Sequence, residues 1–140
     1  MTTESFRKFT LSGVLFLLSM CLVFISSHEA IAGDLTVEWE WKSGHKCYYK
    51  SPQINLTGVP DSTVKFSVKM IDLDMTSFNH GGGKVDNDES GVIPEGALSY
   101  YKGPCPPAGG HQYEITVNAM DASGSTIAKG KAVRSCCSQF

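Results

Sequence analysis

Two runs of alternating residues constrain the fold of this chain more than any other feature of its sequence. In the first run, the alternate positions hold Val64, Phe66, Val68, Met70, Asp72 and Asp74. In the second run, they hold His111, Tyr113, Ile115, Val117 and Ala119. A period of two predicts β-strands with one buried face, so one buried face ends in carboxylates and the other begins with polar rings. If the strands are antiparallel neighbours, these groups meet at one rim of the core, where a small binding pocket can form.

Residues 1–32 have the pattern of a secretory signal peptide. Arg7 and Lys8 precede an apolar run over residues 11–27, and Ala30-Ile31-Ala32 supplies the small residues that a signal peptidase requires. We therefore predict that the mature domain is residues 33–140 and that it is periplasmic or secreted. The alternative is an uncleaved membrane anchor, since an apolar run of this length is close to the minimum for spanning a bilayer.

The length and charge of the chain limit the classes of protein to which it can belong. Residues 33–140 suffice for one domain but lie near the lower limit for a self-sufficient core, so covalent cross-links are expected. The whole chain has 12 Lys and Arg and 14 Asp and Glu, a formal net charge of -2. Because neither sign forms a run, this balance predicts neither a nucleic-acid groove nor a strongly anionic membrane partner.

Four cysteines fall within the predicted mature domain, namely Cys47, Cys105, Cys136 and Cys137. An even number in a small exported domain favours disulfides, whose pairing stays open at this point. Two of the three pairings tie the C-terminal tail to Cys47 and Cys105, whereas the third needs a strained ring between adjacent residues. A zinc site using these cysteines with the histidines at positions 45, 80 or 111 is the alternative. No CxxC or HxxxH spacing supports it, and we predict no metal and no cofactor.

The rest of the sequence indicates further short strands and shows no convincing helical periodicity. Residues 35–41 alternate as a half-buried strand, residues 53–56 form a short strand candidate, and residues 126–133 form a last strand after a turn over residues 121–125. Residues 92–99 stay unassigned. The segment from Met75 to about Ser90 lacks periodicity, and Gly81-Gly82-Gly83 within it predicts a long loop, either functional or merely connecting. This pattern indicates an antiparallel sandwich or barrel.

Three segments resemble the phosphatidylethanolamine-binding protein (PEBP) family, in particular its bacterial Raf kinase inhibitor-like branch. Ser51-Pro52-Gln53-Ile54 with Val59-Pro60 is similar to the early Ser-Pro and Val-Pro landmarks of the family. Residues 72–76 resemble its Asp-Pro-Asp-x-Pro motif, with Leu73 and Thr76 in place of the prolines. The most specific match is Tyr-Lys-Gly-Pro-Cys-Pro-Pro at residues 101–107 with His111-Gln112-Tyr113. The resemblance implies an all-β antiparallel sandwich of Greek-key type, with little or no helix in the mature domain, and the cysteine count predicts that this domain is stapled by disulfides.

The same resemblance implies a pocket for an anion or head group. The residues that match the family's pocket are Asp72, Gly103, Pro104, His111 and Tyr113, and His80 stands for the family's histidine after the first motif. The strand pattern adds Asp74, which shares a face with Asp72. A carboxylate beside a histidine fixes the tautomer of its ring, and either aspartate can do this for His80.

These observations lead to an expected function and two alternatives. We expect an exported protein that binds a small anionic or phosphate-bearing ligand, with a phospholipid head group as one candidate. The first alternative is a protein-interaction or inhibitor module that acts through Gly81–Gly83 and retains only a vestigial pocket. The second is acid–base chemistry on a bound phosphoester, which is less favoured because the sequence has no Gly-x-Ser-x-Gly elbow and the Asp and His set lacks an evident nucleophile.

Overall fold

The computed structural model describes residues 33–137, which form nine β-strands. Their bounds are β1 Gly33–Asp34, β2 Thr36–Trp39, β3 Ile54–Thr57, β4 Lys65–Asp72, β5 Asn79–Asp86, β6 Val92–Ile93, β7 Tyr100–Tyr101, β8 His111–Met120 and β9 Thr126–Cys136. No helix occurs within these residues, which confirms the all-β prediction. Over the same range, no helix is long and apolar enough to cross a membrane. The predicted signal peptide lies outside the described residues.

The strands form two sheets that share one core. The larger sheet has the order β1-β9-β8-β4-β5-β7 and the smaller has the order β2-β3-β6. The short β1 runs parallel to β9, whereas the remaining neighbours are antiparallel. Apolar side chains of both sheets form a single buried cluster, and the Trp39 Nε1–H of the smaller sheet donates to the carbonyl of Ala132 in the larger one at 3.3 Å. The architecture is therefore a β-sandwich, as the sequence predicted.

The two alternating runs are neighbouring antiparallel strands. In the pairing of β4 with β8, Asp72 lies opposite Tyr113 and Phe66 lies opposite Ala119. The buried face of β4 runs from Phe66 to Asp72, as its alternation predicted. The prediction is wrong at Val64, whose side chain is 46% exposed. Val64 precedes the first residue of β4, and its backbone is held by two hydrogen bonds, from its N–H to the carbonyl of Met120 and from the N–H of Asn87 to its carbonyl.

The predicted glycine-rich loop is wrong, because Gly81, Gly82 and Gly83 form part of strand β5. This strand lies between β4 and β7. A Cβ atom on Gly81, where φ is +72°, would come within 1.8 Å of the carbonyl oxygen of Tyr100, and one on Gly82 would come within 2.0 Å of that of Val68. Glycine is therefore required by the close approach of the two neighbouring strands.

The disulfides join Cys47 to Cys105 and Cys136 to Cys137. The preference for pairings that tie the C-terminal tail to Cys47 and Cys105 is thus wrong. The tail needs no such link, because β9 pairs with β8 along its length and ends at Cys136. The first bond spans 58 residues, which contributes about 4 kcal/mol in the chain-entropy account, whereas a bond between neighbours contributes only about 1 kcal/mol. With all four sulfurs paired, these cysteines are not zinc ligands in this structure.

Candidate functional site

Asp72 is the last residue of β4, and its carboxylate lies at the centre of a cluster of polar groups. The residue is only 3% exposed. Its Oδ1 accepts the backbone N–H groups of Asp74 and Met75 at 2.9 and 3.0 Å. Its Oδ2 lies 2.7 Å from Nδ1 of His111, the first residue of β8. Both oxygens of this buried carboxylate therefore have hydrogen-bond donors, as a buried charge requires.

The surroundings of Asp72 keep its carboxyl group ionised at neutral pH. Burial alone would raise the pKa of Asp72, but the hydrogen bond from His111, the two backbone N–H groups and the charge of His111 outweigh it and lower that pKa. An ionised Asp72 can only accept, so Nδ1 of His111 carries the proton that lies between them. The tautomer of His111 is thereby fixed, and Nε2 is its remaining ring nitrogen, with no hydrogen bond among the described residues.

His80 brings a second imidazole to Asp72 from the opposite side. It lies on β5, is 3% exposed, and places Nε2 at 3.8 Å from Oδ2 of Asp72. Its Nδ1 lies 2.8 Å from the carbonyl oxygen of Lys102 and must donate to it. The Nε2 atom of His80 therefore accepts a hydrogen bond when the ring is neutral and donates one when the ring is charged.

An aromatic side chain and a cation lie beside His80. The ring of Phe78 packs against that of His80, with 4.6 Å between their centroids. The ammonium group of Lys102 lies 5.8 Å from the centroid of the Phe78 ring, within the range of a cation–π contact. A positive charge thus stands near the site, although no lysine or arginine is among the residues that line its cavity.

Tyr113 supplies a buried hydroxyl beside the carboxylate of Asp72. The residue is 0% exposed, and its hydroxyl makes no hydrogen bond of good geometry within residues 33–137. Burial, followed by the charge of Asp72 and a hydrogen-bonding contact with its carboxylate, raises the pKa of Tyr113, so the hydroxyl keeps its proton and remains a donor. Its ring stacks edge-on against His80 at 5.3 Å between centroids, so the hydroxyl belongs to the same cluster.

These groups surround a cavity of about 50 Å³. Its lining residues are Asp72, Met75, Phe78, His80, Gly103, Cys105, Pro106, Pro107, His111 and Tyr113. Pockets for drug-sized ligands measure about 300–1,000 Å³, so this cavity admits a single small group. A larger groove of about 390 Å³ on the smaller sheet is lined mainly by exposed polar side chains and holds no histidine.

The structure brings five of the seven predicted binding residues to the cavity wall and leaves two behind it. The five are Asp72, His80, Gly103, His111 and Tyr113. Asp74 is exposed, and its Oδ2 accepts the backbone N–H of Gln112 at 2.7 Å, which ties the end of β4 to the start of β8. Pro104 is buried, and its carbonyl accepts the N–H of Cys47 at 2.7 Å. Both residues support the wall without lining it.

Residue 103 must be glycine because neighbouring backbone atoms leave no room for a side chain. Its N–H donates to the carbonyl of Tyr48 at 2.7 Å. A Cβ atom on Gly103 would come within 2.3 Å of that same oxygen and 2.6 Å of the carbonyl oxygen of His45. The segment around residues 45–48 therefore presses directly on this wall, and the bond from Cys47 to Cys105 holds it there.

Five further lining residues were not predicted to line the pocket. They are Met75, Phe78, Cys105, Pro106 and Pro107. Met75 and Phe78 are 41% and 47% exposed, respectively, in the turn between β4 and β5. With Leu73, which is 44% exposed, they make three exposed large apolar residues in a six-residue connection, and this is the signal that would have identified this part of the mouth.

Asp72, Asp74 and His111 also offer possible metal-ligand atoms within 4.8 Å of one another. The oxygens of Asp72 already accept three hydrogen bonds, and Oδ2 of Asp74 accepts a fourth. A cation at this position would have to displace these donors. The arrangement fits a hydrogen-bonded Asp–His pair better than a cation site.

Comparisons with known proteins give a match of fold. No family model matches the sequence, and a search of curated proteins finds no match. Among solved structures, the chain is similar to the crystal structure of a phosphatidylethanolamine-binding protein (PEBP) homolog from Chlamydia trachomatis. The TM-score is 0.52 at 15% sequence identity, over 76% of this chain and 99% of the other. The predicted PEBP-like fold is thereby confirmed.

Proposed function

We propose that this chain is an exported protein that binds a small anionic or phosphate-bearing group in the cavity beside Asp72. The PEBP-like fold is consistent with ligand binding in general. The observation that carries the proposal is the fully buried hydroxyl of Tyr113, which lies beside two imidazoles and makes no hydrogen bond of good geometry within residues 33–137. A phospholipid head group is one ligand with the required chemistry. Export, to the periplasm or beyond the cell, rests on the signal-peptide pattern of residues 1–32.

The cavity favours an anion even though it contains a carboxylate. The oxygens of Asp72 are engaged by three donors, so its charge is largely compensated. The groups left for a ligand are donors, namely the hydroxyl of Tyr113 and, when the rings are protonated, Nε2–H of His80 and His111. The oxygens of a phosphate group accept from all three. The positively charged ammonium group of Lys102, near the mouth of the cavity, also attracts an anion.

Binding should strengthen as the pH falls, because both imidazoles donate through Nε2 only in their charged forms, so that anion binding is linked to proton uptake by the rings. Asp72 stays ionised at neutral pH because its pKa is lowered. Sulfate is the better probe for this experiment, since its own charge does not change near neutral pH. An affinity that is independent of pH would exclude the imidazoles as donors.

The substitution Tyr113→Phe tests the proposal directly. The free energy of unfolding should change by no more than about 1 kcal/mol, because the hydroxyl makes no hydrogen bond of good geometry in the folded protein. The affinity for inorganic phosphate should fall about tenfold, the value of one hydrogen bond. Both quantities are accessible, by urea unfolding and by following the His111 resonances during a phosphate titration.

The matched control is Tyr100→Phe, which removes a tyrosine hydroxyl from a residue that is 79% exposed. It should leave phosphate affinity unchanged. Equal affinity of Tyr113→Phe and the native protein would overturn the role of the hydroxyl. The absence of any His111 shift at millimolar phosphate would overturn the proposed ligand class.

The two alternative functions receive less support. Gly81–Gly83 lies within β5 between two paired strands, and Gly82 is buried, so this segment offers no protruding loop to a protein partner. We propose binding and not catalysis, because the side chains that line the cavity include no Ser, Thr or free Cys as a nucleophile.

A further inference from the structure

The disulfide at the end of β9 contributes little to stability as a cross-link. Cys136 and Cys137 are adjacent in the chain, so their bond closes no segment of chain, whereas Cys47 and Cys105 are 58 residues apart. Cross-links stabilise chiefly by restricting the unfolded chain, and the effect grows with the length of the closed loop. The Cys136–Cys137 bond therefore calls for a local explanation.

Its position relates it to the cavity. Cys136 is the direct partner of His111 in the pairing of β8 with β9. Direct partners in an antiparallel pair project from the same face, with Cβ atoms about 4.5–5.5 Å apart. The disulfide thus lies beside the imidazole that binds Asp72 at 2.7 Å. Cys136 and Cys137 are 3% and 8% exposed, so the pair packs against the core at this rim.

The backbone at Cys137 has an uncommon conformation. Its φ is +81°, in the left-handed region that residues with a Cβ atom rarely adopt. Such conformations persist only where the surrounding structure imposes them. The bond to the adjacent Cys136 is one constraint on this residue. Opening that bond would allow Cys137 to adopt an extended conformation and the end of β9 to shift against His111.

We propose that Cys136–Cys137 is a redox-active site that reacts with an external dithiol and changes the cavity at His111. A thiolate of the reductant attacks one sulfur, the Cys136–Cys137 bond breaks, and a mixed disulfide forms. The second thiol of the reductant then displaces the cysteine. In total the two cysteines gain two electrons and two protons, and the dithiol becomes a disulfide. Both cysteines are buried, Cys137 slightly less than Cys136, so the reductant reaches them when the end of β9 opens locally.

The test follows the two disulfides separately in the full mature chain. The protein is equilibrated in increasing dithiothreitol, its thiols are alkylated, and each cysteine is quantified by peptide mass spectrometry. Thiols at Cys136 and Cys137 should appear before those at Cys47 and Cys105. Their appearance should coincide with a shift of the His111 imidazole resonance and with a change of about fivefold or more in the affinity for inorganic phosphate.

A matched pair of double variants separates this effect from general destabilisation. The Cys136→Ser and Cys137→Ser variant should show the His111 resonance of the reduced protein without reductant, and should not respond further to it. The Cys47→Ser and Cys105→Ser variant alters a different part of the wall, since Cys105 lines the cavity, but it should still show a shift of the His111 resonance on addition of reductant. Should the second variant fail to fold, the first still decides the question.

Two outcomes would overturn the proposal. In one, Cys136 and Cys137 become reducible only when near-UV circular dichroism shows that the whole domain has unfolded. In the other, they are reduced while the His111 resonance stays where it was. The affinity readout rests on the proposed phosphate site, whereas the His111 resonance does not. If phosphate binds in neither redox state, the proposed ligand is wrong and the resonance alone decides the redox proposal.

Discussion

Replacing Asp72 with asparagine tests directly how the cavity is held together. The side chain keeps its shape, and Oδ1 can still accept the N–H groups of Asp74 and Met75. An NH₂ group replaces Oδ2, the oxygen that faces Nδ1 of His111 at 2.7 Å. Because that NH₂ group donates, Nδ1 must accept, and the proton of a neutral His111 moves to Nε2.

The expected loss of stability follows from the bonds that change. A hydrogen bond to a charged group contributes about 1.5–3 kcal/mol and a neutral one about 0.5–1.5 kcal/mol. Three bonds to Asp72 lose their charged acceptor, and relief from burying a carboxylate offsets part of that loss. We expect the free energy of unfolding at pH 7 to fall by about 1–2 kcal/mol.

Two measurements check this prediction. Urea unfolding gives the free energy, and the nitrogen chemical shifts of His111 report which ring nitrogen is protonated. The affinity for sulfate should also depend less on pH in the variant, because Nε2 then donates even in the neutral ring. The control Asp86→Asn removes a carboxylate that is 85% exposed and paired with Lys65 at 3.1 Å. It should cost no more than about 1 kcal/mol and leave His111 unchanged.

The reasoning would be refuted if His111 in the Asp72→Asn variant kept its proton on Nδ1. An unchanged free energy of unfolding would refute it as well. Either result would mean that Asp72 does not fix the tautomer of the His111 imidazole.

Two further predictions concern the scaffold. Gly82→Ala should lower the free energy of unfolding by more than about 2 kcal/mol, since the new Cβ would lie 2.0 Å from the carbonyl oxygen of Val68. The control Gly44→Ala, whose Cβ would have no atom within 4 Å, should change it little. Equal effects of the two substitutions in urea unfolding would contradict this packing argument. Hydrogen bonds from Lys42, Lys50 and His45 lower the pKa of Glu95 to about 2. Its contribution to stability is therefore present above its ordinary pKa of 4.5 and is lost as the pH falls toward about 2. Glu95→Gln should flatten this part of the curve of stability against pH, and identical slopes would contradict the assignment.

The sequence predicted the strands whose side chains carry a period of two. Phe66, Val68 and Ile115 mark buried faces at alternate positions, and the pairing of Asp72 with Tyr113 follows once the two faces are adjacent. The strand β5 was missed because Gly81–Gly83 has no side chains to carry a period. The contacts that require glycine there come from neighbouring strands and exist only in the folded sheet.

The polar part of the site was predictable, whereas its mouth and its volume were not. Asp72 and His111 interrupt apolar faces, so strand period alone placed them at a common rim. Phe78 and Pro107 lie in connections, where no period indicates the direction of a side chain. The pairing of Cys136 with Cys137 was disfavoured on ring strain alone, without the β8–β9 ladder that already holds the tail.

Because β4 lies between β5 and β8, the contacts that form the cavity report when these three strands have paired during folding. A shift of β4 by one residue would turn Asp72 to the opposite face of the sheet, and its contacts with His80 and His111 would be lost together. Those contacts join residues far apart in the chain, so they form only after β4 has paired on both sides. In a refolding experiment, formation of the hydrogen bond from Nδ1 of His111 to Asp72 would therefore show when β5, β4 and β8 have reached their native alignment.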